Sequence, residues 1–323
     1  MIRTRLTEAF DLQHPILGAP MALVSGGALA AAVTGAGGLG FIGGAYCDRD
    51  WVMHEMEQAG NAAVGVGFIS WKLRENRDLL SAVLERNPRA VFLSFADPAE
   101  FAGEIAAADV PMICQVQSLR DAQRAAECGA LVIVAQGAEA GGHGESRATM
   151  TLVPEVADWL AGSGSEAILV AAGGIADGRG LAAALALGAE GVLVGSRLWA
   201  STESLAHPNM VAAAIDATGD QTIRSSVMDI ARRLEWPGRY TARVLRNGFT
   251  DRWHGDLPGL LAVAEEEAAR WGQAWATGDV EVANTFVGEA AGLIHDRVPV
   301  AEIVTGMVAE AEAVIARNAG LVG

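Results

Sequence analysis

The chain has 323 residues, 51% of them apolar and 39 of them glycine, so it can bury a large core and turn tightly many times. Its 39 acidic and 23 basic residues leave a net charge of −16, a field that repels nucleic acid and anionic membrane surfaces. No long apolar run follows the arginines of MIRTRLTEAFDLQHP, later apolar runs are broken by glycine, and Cys47, Cys114 and Cys128 form no CxxC pair. A secretory signal, a bilayer span, a disulfide framework and a zinc knuckle are therefore not expected, and the reducing cytoplasm is the expected location.

In chain order, short apolar or β-branched runs alternate with Ala-rich helical stretches, the signature of βα units and a parallel sheet. The predicted strands are 16–20, 39–43, 63–69, 90–95, 111–116, 130–136, 167–172 and 191–195. Eight such units predict an α/β chain closed into a (β/α)8 TIM barrel rather than an open sheet. Ser118 before LRDAQRAAECG and Asp177 before GRGLAAALALG are predicted helix N-caps. After about residue 205 the βα rhythm stops and Ala/Glu-rich sequence takes over. The expected organisation is a barrel over 1–205, a mostly helical second domain over 206–297 covering the barrel mouth, and a last helix over about 298–323 packing back on the barrel.

Gly35 to Gly40 read GAGGLG and match the dinucleotide fingerprint GxGxxG. That fingerprint must leave a strand and open a helix. Here a helical stretch precedes it and a strand follows, so a helix-to-strand turn is predicted and a dinucleotide site is not.

Barrel active sites lie at the C-terminal ends of the strands. Strand one ends in Ala19-Pro20-Met21, either a plain turn or a rigid exit lying against a flat ligand. Strand seven ends in Ala172-Gly173-Gly174 and strand eight in Gly195-Ser196, where backbone N–H groups and one hydroxyl can face an anion at the recurrent phosphate position of barrels. Strand six runs into QGAEAGGHGES, where His143 stands between small neighbours. Its ordinary pKa of about 6.5 suits proton transfer, so a catalytic role is preferred to a structural one. The remaining histidines, 14, 54, 207, 254 and 295, show no metal-ligand spacing and are taken as surface or packing residues. Lys72 is the chain's one lysine; it excludes a Walker motif, and with no acid/base partner evident nearby an aldolase-like role is disfavoured. Trp236, Trp253, Trp271 and Trp275 are core anchors or part of a lid, with core preferred for most.

Taken together, GAPM at 18–21, AGGLGFIG at 36–43, VAQGAEAGGHG at 134–144, AAGGIADGRG at 171–180 and GVLVGSRL at 191–198 resemble the nitronate monooxygenase family, formerly 2-nitropropane dioxygenases, among the FMN-dependent barrel oxidoreductases. The resemblance spans the whole barrel. It implies FMN as cofactor, with Ala19, Pro20 and Met21 lining the isoalloxazine, Gln115 contacting the ring or ribityl chain, and Ala172, Gly173, Gly174, Gly195 and Ser196 holding the phosphate end. It implies His143 as the catalytic residue, taking the carbon-bound proton of a nitroalkane or orienting a nitronate, with O2 completing oxidation to a carbonyl compound and nitrite. The chain departs from the family at Gly67, where an Asn is frequent, and at Gly144-Glu145, where an arginine often follows the histidine.

Two other functions compete: an FMN-dependent NAD(P)H reductase of quinones or enoyl thioesters, and a non-redox barrel using the same grip for a phosphorylated metabolite. The expected partners are a small anionic substrate and O2, with a homodimer as one assembly open to this class.

Overall fold

The computed structural model describes residues 2–44 and 46–321. Eight parallel strands form the barrel: β1 (Ile16–Gly18), β2 (Phe41–Gly43), β3 (Gly65–Ile69), β4 (Val91–Ser94), β5 (Met112–Val116), β6 (Val132–Gln136), β8 (Ile168–Ala172) and β9 (Val192–Val194). Between β6 and β8 the chain inserts a short strand, β7 (Gly142–Gly144), that belongs to a different sheet. The barrel order is β1-β9-β8-β6-β5-β4-β3-β2, and a parallel bridge from Leu17 to Leu39 closes the ring. All eight predicted barrel strands are present, each shorter than its apolar run because the runs include the turns that flank it.

Period-two alternation divides the apolar side chains between two cores. Leu17, Phe41, Phe92, Ile113, Val132, Val134, Ile168 and Val170 point inward and fill the barrel, with Leu6 and Phe10 of the first helix among them. Their alternates, such as Val66, Val91, Cys114, Ile133 and Leu169, face the surrounding helices. Phe41 and Phe92 meet edge-on at 5.4 Å, both with no exposed surface. Truncating either to alanine removes a packed ring and costs about 3–5 kcal/mol.

The connecting helices begin where the sequence supplies caps. The Ser118 hydroxyl accepts from Asp121 N at 3.2 Å, and the Asp177 carboxylate from Gly180 N at 3.1 Å. The last helix, Val300–Ala319, lies on the barrel helices Gly178–Ala186 and Gly27–Gly35, where Glu310 accepts the Gly178 amide at 2.8 Å. GAGGLG ends the Gly27–Gly35 helix and leads into β2, which places it in a helix-to-strand turn as expected.

After the barrel come helices Pro208–Ile215, Val227–Ala231, Gly248–Trp253, Leu257–Ala262 and Ala264–Thr277, and two strands that the sequence pattern does not reveal, β10 (Thr222–Ser225) and β11 (Thr241–Leu245). These strands pair antiparallel, and β11 then pairs with β7, bringing His143 opposite Ala242. The expected loop around His143 is therefore an edge strand held by the second region. The reason is long-range: Arg224 and Arg243, on the two added strands, each donate from Nε to Ala138 O, at 3.2 and 2.9 Å, and tie the stretch before His143 to that sheet. A separate apolar core of Trp199, Met210, Val227, Met228, Val244, Phe249 and Trp271 holds the region together.

Candidate active site

A cavity of about 280 Å³ opens at the C-terminal ends of the barrel strands and is lined in part by residues of the second region. Ala19, Pro20, Met21, Gln115, Ala172, Gly173, Gly174, Gly195, Ser196 and His143 all line it, so the sequence-predicted residues converge on one space. Their individual roles are a separate question.

Gly173 and Gly174 follow β8 with φ of +101° and +74°, conformations that glycine adopts without penalty. Their amides, and that of Gly195, donate to no protein acceptor among the described residues, which leaves three N–H groups for an anion at the ends of β8 and β9. The Ser196 oxygen accepts from Gly288 N at 2.9 Å, so its hydroxyl proton remains free to donate. Pro20 packs against the end of β3. A Cβ at Gly67 would stand 2.3 Å from the Pro20 Cβ, so this chain leaves no room for a side chain there as the backbone stands. The glycine amides, the apolar strand-one exit and the Gln115 amide fit a flat ring system carrying a terminal phosphate, and these residues would hold it.

His143 is 8% exposed, and its Nε2 lies 3.0 Å from both carboxylate oxygens of Asp229. An ionised carboxylate only accepts, so Nε2 carries the hydrogen and Nδ1 is left with the lone pair. Burial pulls the His143 pKa below 6.5, opposed by the hydrogen bond and charge of Asp229 and assisted by Arg232 and Arg224. Burial thus favours the neutral imidazole, with the Asp229 carboxylate set against its Nε2. Trp236 stacks on the ring with centroids 3.4 Å apart and planes 6° from parallel, and Phe95 meets both rings edge-on.

Asp229 and Trp236 come from one excursion of the chain between β10 and β11; Asp229 has no sequence signal, and Trp236 is anticipated only as a core anchor or part of a lid. The Val227–Ala231 helix carries Asp229; Arg233, at φ +55°, reverses the chain and returns Trp236 to the histidine. Asp229 is 86 positions from His143, beyond any local motif. Trp271 and Trp275 stack at 5.2 Å and line the cavity with Trp236; only Trp253 of the four tryptophans lies away from it, in the second-region core. Trp253 and Trp271 are buried in the second-region core and Trp275 packs against it, as preferred for most of these positions, while Trp236 takes a place on the cavity wall. Tyr46, Ser94, Phe95, Gln136, Arg232 and Phe286 are further lining residues without a sequence signal.

Lys72 pairs with Glu75 outside the cavity lining, so a carboxylate does lie beside it, contrary to expectation, but away from the site. Glu145 pairs with Arg239, and beside Gly144 the Arg224 guanidinium occupies the space a side chain would need, 2.9 Å from a Cβ built there. No helix among the described residues is long and apolar enough to cross a membrane.

The family model described as nitronate monooxygenase matches residues 3–68 and 69–310. The chain is 33% identical over 341 residues to a nitronate monooxygenase of Neurospora crassa, covering 92% of this chain and 89% of that one. It is 37% identical over 315 residues to nitronate monooxygenase npaC of Metarhizium robertsii, covering 87% and 86%. Among solved structures it resembles FabK from Thermotoga maritima, with a TM-score of 0.87 and 32% identity over the full length of both chains. With the barrel, the cavity and the buried histidine on one side, and these matches along almost the whole chain on the other, the protein belongs to the nitronate monooxygenase family of flavin-dependent oxidoreductases.

Proposed function

We propose that the protein uses FMN to oxidise alkyl nitronates, and nitroalkanes once deprotonated, with O2 to carbonyl compounds and nitrite. Two nitronates and one O2 balance two carbonyl compounds and two nitrites. The observation that carries this reading is the buried, neutral His143 braced by Asp229 in a cavity that ends in unpaired glycine amides. FMN, with a single phosphate, suits the one group of amides at Gly173, Gly174 and Gly195, and when bound it supplies the redox chemistry.

The residues of the chain do the rest. His143 Nδ1 takes the proton from the carbon beside the nitro group, and the electron pair of the broken C–H bond passes to the nitro oxygens. The Asp229 carboxylate stabilises the imidazolium that results. Residues 206–297 cover the mouth in this reading, and the rings of Trp236, Trp271, Trp275 and Phe286 keep water from the reacting carbon.

Purified protein reconstituted with FMN is expected to be yellow, to consume O2 and to release nitrite from propionate 3-nitronate or ethylnitronate. Absence of nitrite and of O2 uptake overturns the reading. Rapid anaerobic bleaching of the flavin by NADH or NADPH, in a protein inactive on nitronates, points instead to a reductase of quinones or enoyl thioesters.

A further inference from the structure

Arg232 follows the Asp229 helix and points into the cavity, where it is the one lysine or arginine among the lining residues. Three aromatic rings surround its guanidinium: Tyr46 at 4.9 Å, Trp271 at 5.6 Å and Phe286 at 5.6 Å. No carboxylate among the described residues forms an ion pair with it, although the chain holds 39 acidic residues and most other arginines have found one. A half-buried cation without a counter-charge is costly, and ring faces offset only part of that cost. The remaining hydrogen-bonding capacity of the guanidinium faces a cavity whose other walls are mostly apolar: Met210, Trp271, Trp275 and Phe286. The overall field of the chain repels anions, so a local positive group here acts against the background.

We propose that Arg232 is the specificity-determining residue for the charge of the substrate: it receives an anionic head group, nitronate or carboxylate, while an apolar tail lies against Met210, Trp275 and Phe286. Tyr46 stands on the guanidinium and limits its rotation. Burial holds the phenol protonated, with Arg232 opposing that shift, so its hydroxyl remains a donor to the same anion. The preferred substrates are compact anions with a short apolar chain, and a neutral isostere binds less well. This rests on the reading of the cavity as a substrate site but not on nitrite chemistry.

Binding and turnover separate the two. Protein saturated with FMN is titrated with butanoate and with butanamide, its neutral isostere, and binding is read from tryptophan fluorescence and by calorimetry. Wild type is expected to prefer butanoate, and Arg232→Met to lose about 10- to 100-fold in butanoate affinity, as for a hydrogen bond to a charged group, with butanamide unchanged. Arg232→Lys is expected to recover part of the preference, because the charge returns without the fork. Equal binding of the two ligands by wild type, or unchanged butanoate binding by Arg232→Met with native circular dichroism, overturns the proposal. In turnover of ethylnitronate the loss is expected in KM, with kcat within about threefold, as for removal of uniform binding. A wild type that prefers butanoate but releases no nitrite sinks the nitronate reading and leaves the role of Arg232 standing.

Discussion

The barrel and the region inserted before the last helix divide the site between them in different ways. The barrel contributes backbone, the glycine amides at the ends of β8 and β9 and the proline exit of β1, and it sends out after β6 the strand β7 that carries His143 into the other sheet. The second region contributes side chains that set what those groups do: Asp229 behind the imidazole, Trp236 on its face and Arg232 beside it. A barrel of this kind places a phosphate-bearing ligand at its strand ends, whereas in the proposed reading the chemistry depends on a neighbour that fixes the tautomer of one buried histidine. On that reading the less regular region, not the barrel, decides the function.

The sharpest way to break that division is His143→Ala. It is expected to lower kcat/KM on a neutral nitroalkane by about 10³-fold, in the range of a lost general base, while FMN binding by the barrel is retained. Nitrite release within threefold of wild type would refute the role. Asp229→Asn tests the contribution of the second region alone, with an expected loss of about 10²-fold on the same substrate. Asp229 raises the His143 pKa against the effect of burial, so its removal moves the ascending limb of the pH profile to lower pH. A limb that stays in place means that the carboxylate only supports the fold.

The barrel side is tested by Gly173→Ala. The added Cβ would stand 2.9 Å from both Gly137 O and Thr149 Oγ1, on a residue whose φ is +101°. Strain of about 1–3 kcal/mol is expected, read as a lowered urea midpoint, together with roughly tenfold weaker FMN binding. The smallest effect is on stability against pH. Because the folded His143 has a lowered pKa, the unfolded chain takes up its proton first as pH falls through about 6.5, and the folded state loses up to ~1.4 kcal/mol per pH unit from this one site. Urea midpoints measured between pH 7.5 and 5.5 are expected to fall less steeply in His143→Gln than in wild type.

The barrel was readable because its rules are local. Each strand is an apolar run bounded by turn residues, and Ser118 and Asp177 announce their helices by cap chemistry. The same locality placed the GAGGLG turn correctly, and strand-end reading together with the family resemblance, which alone named Gln115, picked ten residues that line one cavity. The second region caps helices too, at Asn247 and Asp256, but its strands follow no such rule. β10 and β11 carry Arg224 and Arg243 where a strand pattern calls for apolar residues, because those guanidiniums are spent on the Ala138 carbonyl. The five-residue helix bearing Asp229 is too short for periodicity to show. Trp236 carried the correct residue type with no partner in view, since the imidazole it covers is 93 positions earlier, on an edge strand that forms only when β11 is there to pair with it. What the sequence missed are contacts between distant segments, and these are the ones on which the proposed proton removal depends.

The most direct test of that conclusion compares Asp229→Asn with wild type on two substrates, nitroethane and ethylnitronate. If the carboxylate serves His143 as a base, kcat/KM falls about 10²-fold on nitroethane, whose carbon proton must be removed, and less than about fivefold on the nitronate, which has already lost it. Equal losses on the two substrates, or a wild type that does not turn over nitroethane at all, would contradict it.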